Sequence, residues 1–397
     1  MPIEFVHAAA LNPSTELNGL GQVGVDGEYF RNYVREMDVL GYDHVLLAYG
    51  AATPDPFALA AVALETTEQL GAFIALRPNL MAPTFAAKAA ATLDQLSGGR
   101  VAYHLIAGGR AAEQAREGDR ASKPQRYERM GEAIDILRRA WADPTPFDYH
   151  GEYFDIEDFN NAVVPVQSHI RIGVGGASPE AHTVVGEKGD FYGMWAEPLD
   201  ETERIIARIR DIAAAADRTP PAFWATFRPI VAPTEREAWE KAWRIVEVLR
   251  KRTSAGVGNP WALGVPKTES QATRRVLEAH GEGALHDRAT WFETSAAALG
   301  IGTTTALVGS YETVAAAILD YVDAGVEIIG MRGYDNLADM REYGREVIPL
   351  VRAELAHREA TGERGRIVPQ PEYQRGPHAE PFPDLRVAQL TELAGQR

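Results

Sequence analysis

Short apolar runs return along the whole chain. Between them lie longer stretches in which apolar positions recur every three or four residues. The runs are Ile3–His7, His44–Leu47, Leu70–Leu76, Val101–Ile106, Arg171–Val174, Phe191–Met194, Phe223–Val231 and Val326–Met331. They hardly alternate between apolar and polar, the pattern of strands buried on both faces of a parallel sheet. The longer stretches predict helices over Asp26–Leu40, Pro56–Thr66, Phe85–Leu96, Arg126–Ala140, Glu201–Ala214, Thr234–Leu249, Thr313–Ala324 and Ala338–Leu355, with one more after Ser178. Thr84 stands where it could cap the third of these, and Ser97-Gly98-Gly99 stops it, because glycine accepts the left-handed conformation of a helix end. Eight strands alternating with helices predict an α/β fold, a (β/α)8 TIM barrel, for which ~250 residues suffice.

The surplus residues fall into insertions and a tail. An aromatic hairpin is expected at Phe147–Phe154, and a glycine- and proline-containing insertion at about Lys251–Thr305, placed to serve as a lid. The tail, Glu359–Arg397, holds five prolines. It reads either as a disordered end or as an extended arm laid over a neighbouring surface. The expected division is therefore one barrel domain, 1–358, and a C-terminal segment, 359–397.

Composition narrows the function more than the fold. A formal charge of −16 argues against nucleic acid or an anionic membrane as partner, so any anionic substrate needs a local basic pocket. Cysteine is absent, which removes thiolate catalysis, thiolate metal sites and disulfides. No cluster with metal-ligand spacing, phosphate-binding P-loop or Gly-x-Ser-x-Gly elbow occurs, so no metal site is expected. The N-terminal residues lack a signal-peptide pattern and no run is long enough to span a membrane, so a soluble, cytoplasmic protein is expected.

In such barrels ligands sit at the C-terminal ends of the strands, and several polar groups fall there. The fourth strand ends in Ala107-Gly108-Gly109-Arg110. The fifth runs into Gly173-Val174-Gly175-Gly176-Ala177-Ser178 ahead of a helix. Backbone N–H groups at a helix N-terminus suit a phosphate monoester, although a tight turn needing small residues gives the same pattern. His104 lies within the fourth strand, where a core histidine and an inward-facing site residue are both possible. Trp195 ends the sixth strand. Arg228 lies in the seventh, and Arg332 and Tyr334 follow the eighth, where they could donate hydrogen bonds to developing negative charge.

The stretch LRPNLMAPTFAAKAAATLDQLSGGR, Leu76 to Arg100, resembles the signature of the bacterial-luciferase-like flavin monooxygenases, in particular the alkanesulfonate monooxygenase branch. The resemblance implies an FMN site in which Gly176, Ala177, Ser178 and the Tyr127 of Arg126-Tyr127-Glu128 hold the phosphate. His104, Ala107 and Gly108 are expected against the same cofactor; the relatives usually carry asparagine at the histidine position. Trp195 matches a pocket tryptophan and Tyr334 an active-site tyrosine. The sulfonate half departs from the family. Thr226, Phe227 and Arg228 stand where it has arginine, one residue, then histidine; Thr53 replaces a cysteine, Gly300 falls near a loop arginine, and Ala10 near a histidine. Arg228 and Arg332 are the residues that could restore positive charge. The implied activity is oxidation of an organosulfonate to sulfite and an aldehyde, with O2 and reduced FMN (FMNH2) supplied by a separate NAD(P)H:FMN reductase, in a homodimer or homotetramer. The alternatives are a sulfone or sulfonated sugar as substrate, a deazaflavin-dependent oxidoreductase, and a non-catalytic flavin-binding protein.

Overall fold

The computed structural model describes residues 3–17, 24–255, 270–300 and 305–363. The chain begins β1 (Glu4–Ala8), α1 (Gly27–Val39), β2 (His44–Leu47), α2 (Pro56–Thr66), β3 (Gly71–Leu76), α3 (Pro83–Ser97) and β4 (Val101–Ile106). After α4 (Ala111–Arg116), α5 (Lys123–Ala142) and the hairpin β5 (Phe147–His150) and β6 (Asp155–Phe159) come β7 (Ile172–Gly175), α6 (Pro179–Lys188), β8 (Phe191–Trp195), α7 (Leu199–Ala215), β9 (Ala222–Ala232) and α8 (Glu235–Ser254). The last part comprises α9 (Gln271–Glu282), β10 (Leu285–His286), β11 (Thr290–Trp291), α10 (Glu293–Ala297), β12 (Thr305–Ser310), α11 (Tyr311–Asp323), β13 (Ile328–Met331), α12 (Asn336–Glu342) and α13 (Ile348–Thr361).

Parallel pairing in the order β1-β2-β3-β4-β7-β8-β9-β13, with β13 returning to β1, closes an eight-stranded barrel with helices between the strands. The TIM-barrel expectation therefore stands. Its interior is packed by large and small residues set against each other. Phe73, Phe191 and Trp224 fill the centre, with Phe73 and Phe191 stacked 4.7 Å apart. Gly173 leaves room for Phe191, because a Cβ there would fall 1.9 Å from its ring; Gly330 does the same for the Trp224 indole. Towards the N-terminal end, Arg171 donates to both oxygens of Glu4, at 2.7 and 2.8 Å, and His44 meets the same carboxylate.

Four details differ from the sequence-based expectation. Thr84 does not cap α3: Ala82 is the N-cap residue and Pro83 opens the helix, its fixed φ and missing N–H suiting the first turn. The helix expected over Ala338–Leu355 is divided, because a π-helical turn at Tyr343–Val347 separates α12 from α13 and lets the Tyr343 hydroxyl reach the Pro229 carbonyl. The insertion runs at Thr305 into a strand that periodicity missed, β12. β12 pairs with Phe227–Ala232 of β9, beyond the point where β8 ends, and Thr305 Oγ1 bonds the Ala196 carbonyl there. The rest of the insertion includes α9 and the short antiparallel pair β10–β11, while residues 256–269 and 301–304 lie outside the described residues. Finally, α13 runs to Thr361; the segment expected as an arm lies, from 364 onward, outside the described residues. Among the described residues no helix is long and apolar enough to cross a membrane.

Candidate functional site

A cavity of about 670 Å³ opens at the C-terminal end of the barrel, lined by residues in or following all eight strands. This is within the size range of cofactor and substrate sites. Of the residues singled out in the sequence, His104, Ala107, Gly108, Tyr127, Gly176, Ala177, Trp195 and Arg332 line it; Ser178, Arg228 and Tyr334 do not.

One wall is a cradle of open backbone. Strand β7 ends at Gly175, and Gly176 takes φ +134°, where a Cβ would lie 2.1 Å from the Tyr127 hydroxyl. Glycine is required here both by conformation and by that approach. Tyr127, on α5, donates to the Gly175 carbonyl at 3.3 Å, and burial raises its pKa to about 12, so it remains a donor. The N–H groups of Gly176 and Ala177 make no hydrogen bond among the described residues. Ser178 opens α6, and its hydroxyl is buried without a hydrogen-bond partner of good geometry, with Tyr127 and Glu180 as polar neighbours. Open donors at the positive end of a ten-residue helix fit a phosphate monoester. Arg110 and Lys123 also line the cavity.

The floor is aromatic. The imidazole of His104 lies 4.9 Å from Trp224 in an edge-to-face arrangement, and Gly175 and Gly193 leave the space it occupies. Burial lowers its pKa to about 4, so the ring is neutral, and its Nδ1 has no partner. His7, in β1 near the position where the resembling family carries a histidine, does not line the cavity. It is buried among α1 and its neighbours, with Tyr33 Oη 2.9 Å from its Nδ1. Arg77, after β3, is neutralised by Glu113 and Glu117 at 2.6 Å each, which ties α4 to the rim.

The guanidinium expected to meet a sulfonate meets a carboxylate of its own chain. Arg228 has the same parity along β9 as the cavity-lining Trp224 and Thr226, but lies above the barrel rim and is fully buried. It donates to both oxygens of Glu16 at 3.2 and 3.1 Å and to the Gly333 carbonyl at 2.8 Å, and stacks 3.7 Å above the Tyr334 ring. Tyr334 is thus covered by Arg228 and packs toward the tryptophans of α8, with its hydroxyl beside Thr294. Arg332 shares Glu16 at 2.7 Å while facing the cavity. Burial alone would raise the Glu16 pKa; Arg228, Arg332 and Arg252 outweigh it and hold the carboxyl below its ordinary value.

Several residues of this site carry no sequence signal of their own. Glu16 sits in an irregular loop. Trp224 could have been found by counting inward positions along β9. Glu197, after β8, lines the cavity and is held by Arg275 of α9 through bonds of 2.6 and 2.7 Å, so the insertion is fastened over the opening.

The fold has close counterparts among solved structures. A riboflavin lyase determined with modified FMN and riboflavin superposes with a TM-score of 0.70 at 18% identity, covering 94% of this chain and 96% of that one. An EDTA monooxygenase from Chelativorans sp. BNC1 gives 0.66 at 18% identity, with 89% and 94% covered. A coenzyme F420 dependent tetrahydromethanopterin reductase from Methanopyrus kandleri gives 0.64 at 17% identity, with 88% and 99% covered. At these identities the likeness concerns the fold. Sequence comparison is more specific, matching residues 6–327 to the luciferase-like monooxygenases. With a closed barrel, a cavity at its C-terminal face and a match over most of its length, the chain belongs to the luciferase-like monooxygenase family.

Proposed function

We propose that the protein is a two-component monooxygenase that takes reduced FMN from a separate NAD(P)H:FMN reductase and, with O2, oxidises a small organosulfur compound, an organosulfonate in the first instance. The observation that carries this reading is the cradle at the end of β7, where Gly176, Ala177 and Tyr127 line the cavity and the Ser178 hydroxyl lies buried beside Tyr127. Bound reduced FMN would supply two electrons to O2, with one oxygen atom going to the substrate and one to water; a sulfonate then leaves as sulfite and an aldehyde. The chain's own groups hold the cofactor phosphate at β7–α6 and present a neutral His104 and the Trp224 ring as a dry floor. Arg332 orients an anionic substrate head, and α9 keeps water out from above. Arg228 contributes through Glu16, not by touching substrate.

Binding and turnover test the two halves separately. A lost hydrogen bond to a charged group costs ~1.5–3 kcal/mol, so Ser178→Ala and Tyr127→Phe should each weaken FMN ~10-fold or more, and riboflavin hardly at all. Equal losses for FMN and riboflavin would remove the phosphate from this cradle. Stabilisation by F420 in preference to FMN would assign a deazaflavin oxidoreductase. Release of sulfite from a panel of sulfonates, coupled to O2 uptake with reduced FMN supplied, tests the substrate; flavin binding without O2 uptake would indicate a carrier.

A further inference from the structure

The Glu16 carboxylate lies between two arginines at the substrate end of the cavity. Its backbone is fixed as well: Glu16 N donates to the Tyr334 carbonyl at 3.1 Å, and its own carbonyl accepts from Arg252. A residue held at its N–H, its carbonyl and both carboxylate oxygens is a built part of the site. Arg228 is consumed by this arrangement, with Glu16 and the Gly333 carbonyl as acceptors and the Tyr334 ring beneath. Arg332 is not. Only its Nη2 bonds Glu16, and its Nε and Nη1 make no hydrogen bond among the described residues while the side chain borders the cavity.

The Glu16 carboxylate and the two guanidinium groups that bond it carry one negative and two positive charges, since arginine does not lose its proton and Glu16 is held ionised by its neighbours; Arg252, which bonds the Glu16 carbonyl, does not line the cavity. One positive charge and one set of N–H donors are left facing the ligand. In a largely buried site an uncompensated charge is costly, so a ligand that neutralises the surplus is favoured and one that overshoots it is penalised. We propose that Glu16 sets the charge selectivity of the substrate site. By occupying Arg228 it leaves Arg332 to receive one singly charged oxyanion, against both neutral isosteres and doubly charged ones. This rests on the reading of Arg332 as the substrate-facing cation and deepens it by fixing the substrate's charge.

Three tetrahedral probes of nearly equal size isolate charge from shape: dimethyl sulfone, methanesulfonate and methylphosphonate, the last above its second ionisation. Their affinities are to be measured by calorimetry on the FMN-loaded protein and on Glu16→Gln, which keeps the size and part of the hydrogen bonding. The native protein should bind methanesulfonate ~10-fold or more tightly than either other probe. In Glu16→Gln the preference should move to methylphosphonate by a similar factor, with FMN affinity unchanged. Arg332→Met leaves the Glu16–Arg228 pair in place and should move the preference from methanesulfonate to dimethyl sulfone, a shift that a folding defect would not produce. An unchanged order of the three probes in a folded Glu16→Gln protein overturns the proposal. Sulfite release is read separately: charge selection without sulfite from any sulfonate rejects the proposed substrate and retains the role of Glu16, whereas sulfite release with no charge selection does the reverse.

Discussion

His104 shows how much a single residue's surroundings decide. In water its ring would take up a proton near neutral pH; between Trp224 and Phe191, with glycines at 175 and 193, burial holds its pKa near 4. His7 and His182 are pushed to about 4 as well, burial again being the largest cause. All three are therefore neutral in the folded protein where the unfolded chain would already be protonated. The unfolded state binds more protons between about pH 4 and 6.5, so stability is full above that window and is lost as pH falls through it. At pH 5 the difference is about three protons, and each histidine can contribute on the order of 3 kcal/mol. Glu4, lowered to about 2, adds a loss of the same sign at lower pH. Urea midpoints measured across pH 4–7 should fall with acid, and His104→Asn should reduce the slope by about one third. A slope untouched by the substitution would mean that His104 is protonated in the fold.

At the scale of elements, the barrel interior makes its own prediction. Gly173→Ala drives a methyl group into Phe191, which Phe73 and Trp224 keep from moving aside. It should lower stability by ~1–3 kcal/mol in a denaturant titration; no loss would mean that the rings are not packed as described. Much of this architecture was legible because buried parallel strands are short apolar runs: the expected and observed limits of His44–Leu47 and Val101–Ile106 coincide. The turn from β7 into α6 was legible from a glycine pair at a strand end ahead of a helix, whereas its reading as a phosphate site came from the family resemblance and not from the spacing. What escaped was made by tertiary contact. β12 is a strand only because β9 extends past the barrel rim to pair with it. Glu16 is functional only because two arginines distant in sequence converge on it. The sequence put Arg228 in the seventh strand as a residue that could restore positive charge, but could not say that the Glu16 carboxylate would meet it there.

For the whole molecule, every element of the barrel and every described wall of the cavity lies before residue 364. A chain ended at Glu363 should therefore keep its melting temperature and its FMN affinity. If the proline-containing segment crosses to a neighbouring subunit, the particle mass measured by light scattering falls on this truncation; an unchanged mass assigns assembly to the barrel itself. The last consequence comes from β9, which spends its first half closing the barrel and its second half carrying the β12 extension. The Gly176–Ser178 cradle, the proposed cofactor site, stands at the end of β7 and the start of α6, outside that strand. Heritable change confined to the upper half of β9 and the segment it supports can alter which compound is oxidised while leaving the inherited cofactor untouched. A lineage built on this plan can diversify its diet without first relearning its chemistry.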